Sequence, residues 1–214
     1  MGTFEDSLLL LMLGAWTALR VTAGALAVAI VLGLALGAAA ASGQRVVRAV
    51  IFAYVEFFRT IPALTLLFAI YFGLPAMGIL VNSIPAAIIG LGLMGGAYLC
   101  EVFRAGLGAI RRGQREAARS VGMTPFAVLA YIVLPQTWRI VLPPIGSYAI
   151  MLLKDTSVAS AIAAPEIMFY ARQLVNNTLQ TTAVYLAVAA IYLLLSLSLA
   201  RVTRWLERWS RAGT

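Results

Sequence analysis

The sequence predicts an all-α, polytopic membrane protein with five transmembrane helices, and three observations support this fold class. Hydrophobic residues make up 62% of the chain and charged residues 11%, far from the composition of a soluble domain. The mean hydropathy is +0.94. Apolar runs long enough to cross the hydrocarbon core recur along the whole chain. We therefore expect one transmembrane domain over residues 1–214, with little mass left for a folded domain outside the membrane.

Five apolar runs define the expected spans: residues 8–41, 50–72, 84–109, 140–163 and 183–202. The chain begins with the acidic residues Glu5 and Asp6, whereas a signal peptide begins with basic residues. We therefore expect the first run to be retained as a span. An odd number of spans places the two termini on opposite sides of the membrane.

Basic residues predict the orientation, because cytoplasmic loops are enriched in Lys and Arg. The loop at residues 74–83 has no basic residue, and the loop at residues 164–182 has only Arg172. We therefore predict an outside N-terminus and a cytoplasmic C-terminus. We interpret the pI of about 10.3 as a topology signal, with no nucleic-acid partner. The arginines follow the first, third and fifth spans: Arg45, Arg48, Arg111, Arg112, Arg115, Arg119, Arg139, Arg201, Arg204, Arg208 and Arg211.

The residue counts exclude several kinds of site. The chain contains no His and a single Cys, which excludes histidine-based catalysis, histidine metal sites and an internal disulfide. We expect Cys100, in the middle of a span, to be a small apolar packing residue. We predict no catalytic residue, no metal site and no cofactor in this chain.

The largest predicted cytoplasmic loop, about residues 111–139, has the local chemistry of two short helices. Good helix formers open it, and Gly122 stands where a left-handed cap would end the first helix. Thr124 offers an N-cap and Pro125 occupies the first position of a second helix. We expect this second helix to stop at Pro135, because proline removes a backbone donor.

One side of the first loop helix is narrow, because it carries Ala117 and Ala118. Glu116 and Arg119 place charges beside this smooth face. Such a helix can enter a groove on another protein. On these grounds alone, an interfacial helix whose arginines bind anionic lipid is an equal alternative.

The spacing of this loop resembles the EAA motif of ABC importer permeases, which reads E-A-A, three residues, G, nine residues and I-x-L-P. In that family the motif forms the coupling helix that docks into a cleft on the ATP-binding subunit. The resemblance implies that Glu116 meets polar groups of the ATPase and that the two alanines permit close approach. It also implies that Gly122 turns the chain and that the last three positions fix the loop against the spans. The matching positions are Glu116, Ala117, Ala118, Gly122, Ile132, Leu134 and Pro135.

Four segments narrow the resemblance to permeases of polar amino acid uptake systems: YVEFFRTIP (54–62), CEVFRAGL (100–107), GQREAA (113–118) and LLKDTS (152–157). The resemblance implies a permease subunit of an importer in the bacterial cytoplasmic membrane, working by ATP-driven alternating access. Its expected partners are two ATPase subunits that carry ATP and Mg²⁺, a second permease, identical or different, and an extracytoplasmic binding protein. An opine or ectoine-like solute is an alternative cargo, and a secondary transporter is an alternative mechanism.

Two charges lie near the middle of predicted spans, where a charge costs at least a few kcal/mol and usually marks a pathway or a pair. At 1.5 Å per residue, Arg59 lies roughly 20 Å along its helix and Asp155 about 16 Å along its own. We expect Pro62 to break the helix just beyond Arg59. Arg59 and Asp155 could pair with each other. They could equally face a cavity, with Arg59 holding the carboxylate and Asp155 the ammonium of a zwitterion. The binding residues of the family fall on these two positions, so the resemblance favours the cavity.

Three neighbours complete the predicted pocket. Thr156 and Ser157 would add neutral donors and acceptors, unless their hydroxyls bond back to a helix carbonyl. Tyr148 precedes Asp155 by two turns and faces the same way. In permeases for basic amino acids this position looks acidic, so the tyrosine favours a neutral polar or aromatic cargo.

Two further acidic–basic pairs lie three residues apart on predicted helices, Glu56 with Arg59 and Glu101 with Arg104. Such spacing allows mutual neutralisation on one helix face. We expect this for Glu101 and Arg104, because Arg104 lies near the cytoplasmic end of its span.

Overall fold

The computed structural model describes residues 4–41 and 44–212, and the regular elements in this part of the chain are all helices, as predicted. The side chains of Glu5, Asp6 and Arg211, used above to predict orientation, lie outside the described part. Four helices are long and apolar enough to cross a membrane, and a bent pair adds a fifth if it counts as one span. The helices are α1 (Phe4–Ala40), α2 (Arg45–Thr60), α3 (Ala63–Ala76), α4 (Ser83–Gly108), α5 (Arg112–Ser120), α6 (Pro125–Ile162), α7 (Ile167–Thr178) and α8 (Thr181–Ala212).

Close approach of α1 to α4 forms the centre of the fold. A Cβ on Gly33 would lie 2.6 Å from the Cβ of Leu99, and one on Gly37 would lie 2.9 Å from the carbonyl oxygen of Cys100. This glycine spacing lets two backbones pack closely, and such packing drives helix association in membranes. Cys100 is buried in this contact, as expected of a packing residue.

The second predicted span is broken in its middle. α2 ends where the Ile61 amide donates to the Phe57 carbonyl, and α3 begins behind Pro62. Proline disfavours helical backbone in the residue before it, and Ile61 is extended, with φ −69° and ψ 132°. The two helices bend by 103°. The predicted break at Pro62 is confirmed, and it leaves Arg59 in the last turn of α2.

The chain after α4 forms the two helices predicted for the 111–139 loop. α5 is followed by Gly122 in the left-handed conformation, with φ +83°. The Thr124 hydroxyl accepts a hydrogen bond from the Ala127 amide at 3.2 Å, and Pro125 is the first residue of α6. The sequence therefore predicted the turn and the N-cap correctly.

The expected stop at Pro135 is wrong, because α6 continues without a break to Ile162. A π turn over Val128–Val133 precedes the proline. Its wider hydrogen-bond spacing accommodates a residue that cannot donate to the helix ladder. The fourth span therefore begins before residue 140, and the connection between α4 and α6 is shorter than predicted.

The predicted loop at residues 164–182 contains a helix, α7. Ala163, with φ 57°, ends α6 in the left-handed conformation. The Glu166 carboxylate then caps α7 by accepting hydrogen bonds from the Met168 amide at 2.9 Å and the Phe169 amide at 2.8 Å. Capping satisfies amides that would otherwise lack a partner at the helix start.

Glu166 also joins α7 to α8, because the Tyr192 hydroxyl donates to its carboxylate at 2.8 Å. The side chain of Glu166 is fully buried. Burial raises the pKa of this carboxyl, and the hydrogen bonds from Met168, Tyr192 and Phe169 oppose that shift. A buried carboxylate with this many donors acts as a structural anchor.

We predict that Gly33→Val lowers the free energy of unfolding by about 1–3 kcal/mol, because the added side chain overpacks the contact with Leu99. The matched control is Ala35→Val, since Ala35 is exposed on the same helix. Denaturant-induced unfolding in detergent micelles measures both variants. Equal losses in the two variants would contradict the close-approach explanation.

We also predict that Glu166→Ala lowers the free energy of unfolding by about 1–3 kcal/mol, because two amides and the Tyr192 hydroxyl lose their acceptor. Glu166→Gln keeps one acceptor oxygen, so a smaller loss is expected. Gln173→Ala, at an exposed position of α7, is the control. Wild-type stability of the alanine variant in the same unfolding assay would rule out the anchoring role.

Candidate functional site

A cavity of 150 Å³ lies where the end of α2 meets α4 and α6. It brings together Arg59, Tyr148 and Asp155, three of the five residues predicted to bind substrate. These residues are distant in sequence, and the bend at Pro62 places the start of α3 beside them. The other residues that line the cavity are Phe58, Ala63, Leu91, Met94, Tyr98 and Met151. The cavity therefore combines one cation and one anion with largely apolar and aromatic walls.

Arg59 and Asp155 line the same cavity without forming an ion pair. The salt bridge found among the described side chains joins Arg104 to Glu101. The structure therefore does not show mutual neutralisation of Arg59 and Asp155. Arg59 lies in the last turn of α2, where the helix dipole favours a cation. Asp155 is half-buried at the end of the α-helical part of α6.

Two tyrosines form one wall of the cavity. The rings of Tyr98 and Tyr148 stack with centroids 4.9 Å apart and an interplanar angle of 18°. Gly95 makes room for Tyr148, because a Cβ there would lie 2.5 Å from the tyrosine hydroxyl oxygen. Tyr148 and Asp155 line the same cavity, so the prediction that they face the same way is confirmed.

Thr156 and Ser157 do not line this cavity. Thr156 is buried, and its hydroxyl donates to the Leu153 carbonyl at 2.7 Å. Ser157 lines a different cavity of 420 Å³, together with Lys154. The chain tightens into a 3₁₀ helix from Thr156 onward, which changes the faces on which the following residues lie. The back-bonded alternative is therefore the one observed for Thr156.

A second, larger cavity of 590 Å³ adjoins the first and shares Arg59 and Tyr98 with it. Glu101 and Arg104 lie on its wall. The Arg104 Nε donates to both carboxylate oxygens of Glu101 at 3.2 Å, so the predicted neutralisation of this pair is confirmed. Within the described part of the chain, no salt bridge joins Glu56 to Arg59.

Among the six lining residues of the 150 Å³ cavity that sequence analysis missed, Tyr98 is the polar one. It lines both cavities and stacks on Tyr148. A signal was present, because Tyr98 precedes Glu101 by three residues and so lies on the same helix face. An uncharged residue in an apolar span gives no sign from composition alone that it faces a polar pathway.

The EAA-like segment (residues 116–135) is anchored to the end of α4. The Arg115 guanidinium donates to the Leu107 carbonyl at 2.6 Å. Ala118 is buried in a cluster with Leu107, Ile110, Val128 and Val133, and Ile132 packs against that cluster. These contacts fix α5 relative to α4 and α6.

Five matched positions of this segment are exposed: Glu116, Ala117, Gly122, Leu134 and Pro135. Ala118 contacts its own chain, so the expectation that both alanines form one outward face needs correction. The reason is helical geometry, because adjacent residues point about 100° apart. On α5, Glu116 and Ala117 are therefore the matched residues that a partner could contact.

Comparisons with known proteins agree with this arrangement. The family model described as "Binding-protein-dependent transport system inner membrane component" matches residues 29–212. The probable glutamine ABC transporter permease protein GlnM of Bacillus subtilis (strain 168) is 38% identical over 156 residues, which cover 73% of this chain and 72% of that protein. The glutamine transport system permease protein GlnP of Escherichia coli (strain K12) is 30% identical over 201 residues, covering 93% and 92%.

Two solved structures share the fold. A crystal structure described as an amino acid ABC transporter with histidines superimposes with a TM-score of 0.86 at 29% identity, covering 97% of this chain and 99% of that chain. An inward-facing structure of the MetNI methionine ABC transporter superimposes with a TM-score of 0.79 at 22% identity, covering 97% and 99%, and supports the fold alone. The chain belongs to the family of binding-protein-dependent transport system inner membrane components, as a permease of the kind found in amino acid ABC transporters.

Proposed function

We propose that this chain is one of two permeases in an ABC importer that carries a zwitterionic amino acid inward across the bacterial cytoplasmic membrane. The observation that carries the proposal is the cavity lined by Arg59 and Asp155, which face the same space without pairing. Charges inside a span are costly unless they have a partner, so a solute with complementary charges explains both. Two of the relatives reported above are named as permeases of glutamine transporters, which supports an amino acid as the cargo.

In this proposal Arg59 binds the carboxylate of the cargo and Asp155 binds the ammonium group. A planar guanidinium fits a carboxylate with two parallel hydrogen bonds. The walls near these charges are aromatic and apolar, with Tyr98 and Tyr148 prominent. A volume of 150 Å³ is below the range of about 300–1,000 Å³ typical of drug-sized ligands. These features support a small cargo with a neutral side chain.

We further propose that the chain is a single transmembrane domain with its N-terminus outside and its C-terminus in the cytoplasm. This orientation places α5 on the cytoplasmic side, where Glu116 and Ala117 are exposed to a partner. The partner is an ATPase subunit that carries ATP and Mg²⁺, one for each permease. The exposed face of α5 and its anchoring through Arg115 support a docking role.

The second permease and an extracytoplasmic binding protein complete the proposed assembly. The 590 Å³ cavity carries charged groups in a membrane-spanning region and is open at the surface of this chain, which supports a neighbouring permease on that side. In this mechanism, ATP binding closes the ATPase pair, and the coupling helices then rock the permeases between outward-open and inward-open states.

We predict that Glu116→Arg prevents co-purification of the ATPase subunit while the chain remains inserted in the membrane, because a cation replaces an exposed anion of the docking surface. Gln114→Arg is the control, since it adds the same side chain on another side of α5. Co-purification from mild detergent, followed by identification of the bound subunits, measures the effect. Full retention of the ATPase by the Glu116 variant would argue against the coupling assignment.

We predict that Arg59→Gln weakens cargo binding by about tenfold to a hundredfold, because a hydrogen-bonded charge contributes about 1.5–3 kcal/mol. Equilibrium binding of labelled amino acids to the purified transporter measures this, and the ATPase should still co-purify. Glu56→Gln is the matched control, because Glu56 is exposed on the same helix and does not line the cavity. Unchanged affinity after the Arg59 substitution would remove this residue from the binding site.

A further inference from the structure

The ion pair between Glu101 and Arg104 is unusually open for a membrane-spanning helix. Its side chains are 38% and 52% exposed, respectively, at the surface of this chain. Hydrocarbon is a poor environment for such groups, so charged residues of spans face protein or a water-filled cavity. The pair lines the 590 Å³ cavity and, together with Arg59, supplies the charged part of the wall of this compartment.

One face of α4 connects this compartment to the cavity proposed for the cargo. Tyr98, Glu101 and Ala105 are spaced as i, i+3 and i+7, which places them on one side of the helix, and all three line the larger cavity. Arg59 and Tyr98 also line the smaller cavity, so the two spaces meet at these side chains.

The larger cavity lies on the proposed cytoplasmic side of Arg59. Arg104 is six residues further along α4 than Tyr98, which corresponds to about 9 Å toward the end that leads into α5. A solute released from Arg59 toward the cytoplasm would therefore next meet Glu101 and Arg104. No other acidic or basic residue lines this cavity in the described part of the chain apart from Arg59 itself.

We propose that Glu101 and Arg104 form a second binding station for the head group of the cargo, on the exit side of Arg59. This inference rests on the proposed function. The cargo carboxylate passes from Arg59 to Arg104 as the ion pair opens, and the cargo ammonium binds the Glu101 carboxylate. When the cargo leaves, the two side chains pair again.

Charge balance explains why a pair suits this role. A closed ion pair has no net charge, so an empty compartment holds neither an unpaired cation nor an unpaired anion. A zwitterion breaks the single pair of Glu101 with Arg104 but forms two new ion pairs, one with each side chain. A simple anion or cation would leave either Glu101 or Arg104 without a partner. The station therefore admits a zwitterion in preference to a simple inorganic ion, a discrimination that Arg59 alone cannot make.

The test uses the complete transporter in proteoliposomes, with a mixture of radiolabelled proteinogenic amino acids as the probe. The informative variant is the double exchange of Glu101→Arg and Arg104→Glu, which keeps an ion pair but places a cation next to Arg59. We expect normal assembly with the ATPase and uptake reduced at least tenfold, because the reversed pair presents its cation and its anion to the cargo in the wrong order. Wild-type uptake by this variant would overturn the proposal and leave the pair a purely structural role.

A second variant, Glu101→Gln, covers the case in which the double exchange does not assemble. It leaves Arg104 without its counter-charge, so we expect cargo to be retained, uptake to fall at least tenfold and ATP hydrolysis to continue. Loss of uptake only in proportion to lost assembly would also overturn the proposal. Glu56→Gln is the control. Failure of the proposed function is distinguishable, because the wild-type transporter would then take up no labelled amino acid.

Discussion

The cost of placing a charge in hydrocarbon is the constraint on which the rest of this structure depends. Most arginines lie at helix ends or in the segment between α4 and α6, where water is available. Among the charges farther inside the spans, Arg59 and Asp155 lie where the fold opens a cavity, and Arg104 has a partner in Glu101. Because the membrane cannot solvate these groups, their positions outline a polar route through an otherwise apolar bundle.

The backbone meets a related constraint, since unpaired amide and carbonyl groups are also costly in lipid. Within the described spans, the chain departs from α-helical geometry at four places: the bend at Pro62, the π turn at Val128–Val133, the 3₁₀ segment Thr156–Ile162 and the π turn at Ala69–Gly73. The first and third lie next to the cavity of Arg59 and Asp155. Irregular backbone is tolerated at membrane depth where it is buried in protein or lines a cavity, and this fold follows that rule.

Local chemistry could be predicted from the sequence where one residue determines the outcome. Gly122 adopts the left-handed conformation, Thr124 caps α6 and Pro62 breaks the second span, each as predicted. The predictions that were wrong concern where a helix continues and the direction in which its successive side chains point. Both depend on long-range packing. A π turn carries α6 past Pro135, and a 3₁₀ turn moves Thr156 and Ser157 away from the cavity. Propensity and hydropathy do not specify where a helix changes its hydrogen-bond spacing.

The continuity of α6 gives the proposed coupling a direct physical route. Had the helix stopped at Pro135, a flexible joint would separate the EAA-like segment from the cavity. One helix instead runs from Pro125, next to the turn at Gly122, to Asp155 and beyond. At 1.5 Å per residue the distance is about 45 Å.

The π turn and the internal residues Pro143 and Pro144 are the places where this helix can bend. Motion at α5 therefore reaches Asp155 through one element, whereas Arg59 lies on the separately broken span. Relative movement of these two elements changes the distance between the cation and the anion of the cavity, which is what binding and release of a zwitterion require.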